Sequence, residues 1–179
     1  MTDASAYPVP VGGASGFQSD IAHLMARLSP LPGQAIIETR CGTGDHLRAL
    51  ALATDGRTSF LGVSDDPGMI TMARHLASTL LPAVARAIAF RRSDLCAMVL
   101  PSGAFAGGFI RVHGADMAGP DAMPDAILSE LARVILPGGW MVCIGIGTDG
   151  ETMRSRLQRL GLLDVHVSAP GAVAGRKFL

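Results

Sequence analysis

"QAIIETRCGTGDHLRALALA", residues 34–53, decides the fold. It holds a short apolar run, a glycine-rich turn, and a stretch with Leu47, Leu50 and Ala51 at helical spacing. That order reads as strand, tight turn, helix. Gly42 and Gly44 let the backbone approach a ligand, and the free amides that open the following helix favour a carboxylate or phosphate. Arg40 stands where the tightest such turns carry glycine. The fingerprint of a dinucleotide site needs a further glycine three residues after Gly44, and Leu47 occupies that position, which disfavours a nicotinamide or flavin dinucleotide.

The same alternation extends outward. Before the first strand, Phe17, Ile21, Leu24, Met25 and Leu28 recur at helical spacing, and Pro30 and Pro32 close that helix. After it, "TSFLGVS" (58–64) reads as a second strand, followed by a helix from Pro67 with Ile70, Ala73, Ala77 and Leu80 on one face. "AIAFRRS" (87–93) is a third strand, and "FAGGFIRV" (105–112) a fourth that Gly107 and Gly108 weaken. "DAMPDAILSELARVIL" (121–136) is a helix and "GGWMVCIGIG" (138–147) a buried fifth strand. "ETMRSRLQRLG" supplies the last helix, and "LLDVHVS" with "AVAGRKFL" a terminal strand pair. Strands alternating with helices predict an α/β fold, a doubly wound and mostly parallel sheet with helices on both faces and an antiparallel strand at the C-terminal end. Ligands of such sheets bind beyond the carboxyl ends of the strands, where strand order reverses.

Composition narrows the function classes. The 179 residues suit one domain, expected over 15–179 behind a loose arm over 1–14. Charged residues make up 17% and the formal net charge is zero, so nothing points to nucleic acid. Mean hydropathy is +0.36, yet Pro82, Arg86, Pro137 and the glycines interrupt every apolar run, so no membrane span is expected. The apolar surplus predicts a homo-oligomer or a protein partner. "MTDASAYPVPVGGASG" has neither the basic nor the apolar region of a secretory signal, and Cys41, Cys96 and Cys143 lack metal-type spacing, so a cytoplasmic protein with reduced thiols and no metal site is expected. Only one of the fifteen basic residues, Lys177, is lysine, a bias in keeping with a GC-rich bacterial genome.

The run "IIETRCGTG … FLGVSDDPGMITMAR … IAFRRSDLCAMVLPSGAF … ILSELARVILPGGWMVCIG" resembles the class I S-adenosylmethionine-dependent methyltransferases in motif order and spacing, over about residues 34 to 147. The resemblance implies a Rossmann-like domain and S-adenosylmethionine as cofactor. It places Glu38 near the methionine amino group, Arg40, Cys41, Gly42 and Gly44 in the cofactor loop, and Asp94 with Leu95 beside the adenine. Glu130, Arg133, Pro137, Gly138 and Gly139 match a helix-to-strand signature that is mainly architectural.

The departures bear on the same site. The acidic residue that holds the ribose at the end of the second strand falls on Ser64, and Asp65 comes one residue late; Asp65 can substitute only if the strand has ended or bulged. Ala106 replaces the aspartate expected after Phe105. Glu38 could touch a ligand, or pair with Arg40 two residues on, on the same face of an extended chain. Arg40 could meet the carboxylate of the methionine moiety or lie across its pocket as a plug. Arg111 and His113, just after the fourth strand, are weak candidates for substrate and catalytic groups, against a plainer reading as loop residues. Asp45 and His46 diverge at a helix start and receive no catalytic role, Arg91 and Arg92 read as a solvated strand end, and Met69, Met72, Met117, Met123 and Met153 read as core filler. No Asn-Pro-Pro-aromatic segment follows the fourth strand, which counts against methylation of base amino groups. The expected function is methyl transfer to a small molecule. The alternative is a degenerate, non-catalytic relative that has lost its cofactor and serves as an interaction or regulatory subunit.

Overall fold

A computed structural model describes residues 14–113, 116–117, 122–147, 149–168 and 171–178. Of the expected N-terminal arm, residues 1–13 lie outside the described residues, and Ala14 already begins a helix. The elements are α1 (Ala14–Leu28), β1 (Ala35–Thr39), α2 (Asp45–Ala53), β2 (Ser59–Ser64), α3 (Pro67–Ser78), α4 (Pro82–Arg86), β3 (Ile88–Arg92), β4 (Phe105–Arg111), α5 (Asp125–Val134), β5 (Ile135–Ile144), α6 (Gly150–Arg159), β6 (Leu162–Ser168) and β7 (Ala172–Lys177).

The strands form one sheet in the order β3-β2-β1-β4-β5-β7-β6. β1 pairs in parallel with β2 on one side and β4 on the other, β3 and β5 extend the parallel part, and β7 runs antiparallel between β5 and β6. The chain is therefore Rossmann-like and doubly wound, with its order reversing between β1 and β4. Successive strand residues feed two separate apolar layers. Ile36 and Phe109 join Leu24, Leu47 and Ala73 from α1 to α3, while Ile37 and Ile110 join Leu128, Leu131 and Met153 from α5 and α6. Both faces are covered, which is why the central strands read as continuous apolar runs.

Gly107 and Gly108 lie within a central strand despite the weakness they imply for it. A Cβ on Gly108 would stand 2.8 Å from both Ile37 and Leu131, and one on Gly107 would stand 2.9 Å from Leu28. Neighbouring side chains occupy the space that strand residues normally fill for themselves.

Several boundaries differ from the sequence reading, two of them at prolines. α4 follows Leu81 with Pro82 in its first turn and is too short to show a period; it buries Val84. The helix expected to run to Leu136 stops at Val134, and the extended Ile135 opens β5. Pro137 disfavours helical geometry at Leu136 and cannot donate to a ladder. The β4–β5 register accordingly jumps from Phe105–Ile135 to Gly107–Trp140.

Candidate functional site

The turn after β1 reverses through three left-handed residues, Arg40 (φ 57°), Gly42 (φ 53°) and Gly44 (φ 75°). The Cys41 amide donates to Val63 O at 3.1 Å and the Gly44 amide to Cys41 O at 2.8 Å, so the loop is tied both to β2 and to itself. A Cβ on Gly44 would come within 2.5 Å of the Phe90 ring, whereas one on Gly42 would meet nothing within 4 Å among the described residues. Gly44 is thus required by packing, and Gly42 presents open backbone. α2 begins immediately afterwards.

Asp45 and His46 part company there, as adjacent residues at a helix start do. The Asp45 carboxylate pairs with Arg48 and accepts from the Thr43 hydroxyl at 3.1 Å. His46 turns inward and is 5% exposed. Its Nδ1 lies 3.4 Å from Glu38 Oε1 and its Nε2 3.7 Å from Asp20 Oδ2 on α1, both ion-pair separations. The Phe17 ring packs on the imidazole at 5.0 Å between centroids and Phe109 meets it edge-on at 6.2 Å. Burial opposes a charge on His46, but Asp20 and Glu38 outweigh it and push its pKa up to about 9. The two flanking carboxylates therefore favour the charged imidazole.

Glu38, the last residue but one of β1, is 1% exposed, and among the described residues its Oε2 has no hydrogen-bond partner. Burial raises its pKa, partly offset by His46. The expected pairing of Glu38 with Arg40 is not what forms. Arg40 lies beyond the strand end in left-handed geometry, and its guanidinium bonds Asp116 Oδ1 at 2.8 Å. Asp116 also accepts from the His113 amide at 2.7 Å. Burial disfavours its charge, but these donors prevail and hold the carboxyl below its ordinary range. Cys41 is pushed up to about 12 by burial and by nearby Glu38, so its thiol stays neutral and is no nucleophile.

Glu38, Arg40, Cys41 and Gly42 line a cleft of about 470 Å³ together with Thr43, Asp45, His46, Met69, Arg111 and His113. It opens beyond the carboxyl ends of β1 and β4, at the switch in strand order. Arg111 and His113 thus join the loop residues in one cleft. Met69 is 41% exposed and belongs to its wall, not to the core as its spacing implied, while Met117, Met123 and Met153 are buried.

Ser64, Asp65, Asp94 and Leu95 do not line this cleft. The Ser64 hydroxyl accepts from the Asp66 amide at 3.2 Å, and Asp66 Oδ1 caps α3 through the Gly68 and Met69 amides at 2.7 and 3.1 Å. β2 ends at Ser64, so Asp65 is outside the strand alternation and its side chain is exposed. Asp94 is exposed, with Oδ1 accepting from the Cys96 amide at 2.8 Å, and Leu95 is buried in the core. Glu130 and Arg133 form a two-pronged ion pair at 2.7 and 2.8 Å, and Arg133 also donates to Met98 O, Leu100 O and Ser102 Oγ. That pair fixes the segment leading into β4 and does no chemistry in the cleft.

The residues around the cleft fit the methionine end of S-adenosylmethionine. A buried carboxylate with one uncommitted oxygen suits an ammonium, and Gly42 leaves the loop open to close approach. Residues 36–139 match the family described as a methyltransferase domain, and the chain belongs to the class I S-adenosylmethionine-dependent methyltransferase family. No curated protein matches the sequence. Among solved structures, it is similar to an S-adenosylmethionine-dependent methyltransferase from Aquifex aeolicus, with TM-score 0.70 and 14% identity over 87% of each chain. It is similar to the cyclase SpnF, with TM-score 0.66 and 20% identity over 83% of this chain and 59% of that one. It is also similar to a geranyl diphosphate methyltransferase solved with GPP and sinefungin, with TM-score 0.59 and 16% identity over 72% of this chain and 45% of that one. The chain thus spans under two thirds of the length of the last two. These likenesses concern the fold, and a cyclase among them shows that the fold alone does not select a reaction.

Proposed function

We propose that this protein binds S-adenosylmethionine and transfers its methyl group to a small molecule in the cytoplasm. The observation that carries the reading is buried Glu38, whose Oε2 has no hydrogen-bond partner among the described residues and which lines a cleft at the strand-order switch. His46 holds the other carboxylate oxygen and Gly42 keeps the loop open, and the two partners of a methyl transfer need only be aligned. The cofactor, when bound, supplies an electrophilic methyl group, so no side chain has to act as nucleophile. Among the described residues, no helix is long and apolar enough to cross a membrane. The test is calorimetric titration with S-adenosylhomocysteine. A binding isotherm supports the reading; no heat and no thermal shift at millimolar ligand would sink it.

One observation favours the second reading, a family member without transfer activity that serves as an interaction or regulatory subunit. The end of β2 offers a serine whose hydroxyl is occupied by the Asp66 amide, and Asp65 does not reach the cleft. A protein that binds S-adenosylhomocysteine only weakly and shows no preference for ligands carrying an intact ribose diol would fit that alternative.

A further inference from the structure

Outside the cleft, the antiparallel half of the sheet bears a basic and aromatic cluster. Register sets Arg176 of β7 opposite Trp140 of β5 on one side and opposite Leu163 of β6 on the other, so the three side chains stand on one face of the sheet. His166 and Ser168 share that face, because their partners Ala174 and Ala172 belong to the apolar layer beneath α1. α1 packs over β4, β5 and β7, and α6 covers β6 from the opposite face; among the described residues no helix packs extensively over β6 on the α1 side. The guanidinium carbons of Arg27 and Arg176 each lie 5.8 Å from the centre of the half-buried Trp140 ring, and the His166 ring lies 5.6 Å from it. Among the described residues neither arginine has a carboxylate within ion-pair distance. Arg27 reaches the Ser168 hydroxyl at 3.5 Å, and Arg176 reaches the Gly138 carbonyl through Nε at 2.9 Å, so most of their N–H donors stay uncommitted.

Two arginines held on one indole without a counter-ion make a surface that receives anions. The ring draws both like charges to itself, and this stacking orders the guanidinium groups in advance, which lowers the cost of fixing them on binding. Beside them runs a groove of about 380 Å³ whose wall includes Arg176, Pro137, Leu163 and Phe178; Leu163 and Phe178 are 48% and 60% exposed. Asp164 also lines the groove but does not pair with Arg176. We propose that this face docks an acidic, partly apolar segment of a partner protein, with carboxylates on Arg27 and Arg176 and an apolar side chain in the groove. Tryptophan and arginine are the residues on which protein interfaces concentrate their binding energy. A second copy of this chain fits less well, since a twofold contact would set two like-charged patches face to face. Nucleic acid also fits less well, because the chain has no net positive charge and phosphates gain nothing from an apolar groove. The proposal is independent of the cofactor reading.

Trp140 is the only tryptophan of the chain, so its fluorescence reports on this face alone. The probe is a short synthetic peptide of glutamate and leucine, which has no aromatic group of its own. Adding it to the full chain is expected to shift Trp140 emission saturably, and added salt to weaken the effect. Arg27→Gln combined with Arg176→Gln is expected to lower the affinity by roughly fivefold or more. No saturable shift at millimolar peptide overturns the proposal, and so does a double variant that keeps wild-type affinity. A peptide of lysine and leucine that shifts the emission equally well also overturns it, because the face then selects apolar groups without regard to charge. An oligothymidylate that binds more tightly than the acidic peptide reassigns the face to nucleic acid. An emission shift that appears when the protein alone is concentrated, together with dimers in light scattering, reassigns it to a second copy. If the double variant does not fold, Arg176→Gln alone, at an exposed position, is read in the same way.

Discussion

A protonated histidine in an apolar setting makes stability depend on pH in a defined direction. His46 has a folded pKa of about 9 against an ordinary 6.5, so the stabilisation it contributes is complete below pH 6.5 and is lost as pH rises towards 9. Glu38, raised by burial, acts in the same sense, since ionising it in the folded state costs more than in the unfolded chain. Melting temperature should therefore fall between pH 6.5 and 9. His46→Gln should flatten that fall and lower stability at pH 6.5 by about 3 kcal/mol, the cost of leaving buried Glu38 without its cation. Thermal melts across the window check both, and a level wild-type curve would refute them. At Arg40, glycine relieves a left-handed conformation worth about 1 kcal/mol but removes a partly exposed ion pair of similar worth. Arg40→Gly should leave stability within about 1 kcal/mol and shift affinity for S-adenosylhomocysteine by less than about threefold. A tenfold gain would restore the plug reading, and a tenfold loss would make Arg40 a ligand contact. The glycine turn and Glu38 were legible in the sequence. The partner of Arg40 was not, because Asp116 reaches it from beyond β4, and i, i+2 reasoning holds only while the strand lasts. A signal for His46 was present: it precedes Leu50 by four residues and so shares the buried face of α2.

Between elements, a few glycines and one arginine set the spacing. Phe90 on β3 extends over Gly62 on β2 to Gly44 at the start of α2, where added Cβ atoms would stand 2.6 and 2.5 Å from its ring. Gly44→Ala should cost about 2 to 4 kcal/mol from left-handed strain and overpacking together. Combined with Phe90→Leu it should cost less than the sum of the two changes, since the smaller side chain relieves the clash. Urea unfolding of the four proteins measures the coupling, and strict additivity would mean that the ring is not the obstacle. Arg133→Met should destabilise by about 1 to 2 kcal/mol, because it unties the segment from Met98 to Ser102 from α5. An unchanged urea midpoint would reduce that network to decoration. Long periodic elements such as α3 and α5 were readable. α4 has too few residues for a period, and the end of α5 is set by a proline two residues inside the next strand, whose register no local pattern records.

Taken whole, the sheet divides its labour. The parallel half places the cleft at the reversal of strand order, which the alternation of strands and helices foretold; the position of β7 between β5 and β6 was not foretold, because pairing partners leave no periodicity. Leu136, Leu163, Val167 and Phe178 remain well exposed around the antiparallel half. Self-association or a protein partner is the proposal that follows, and light scattering showing a monodisperse monomer across micromolar concentrations would remove it. The place of β7 also orders events on the ribosome. β5 emerges with one edge paired to β4 and the other bare, and β6 emerges next with no neighbour to pair with, because the strand that joins them is translated after both. Until residues 172–177 appear, the apolar run Met141–Ile144 carries an open edge, the kind of template on which chains aggregate. A chain ending between Ser168 and Ala172 would leave that edge of β5 unsealed.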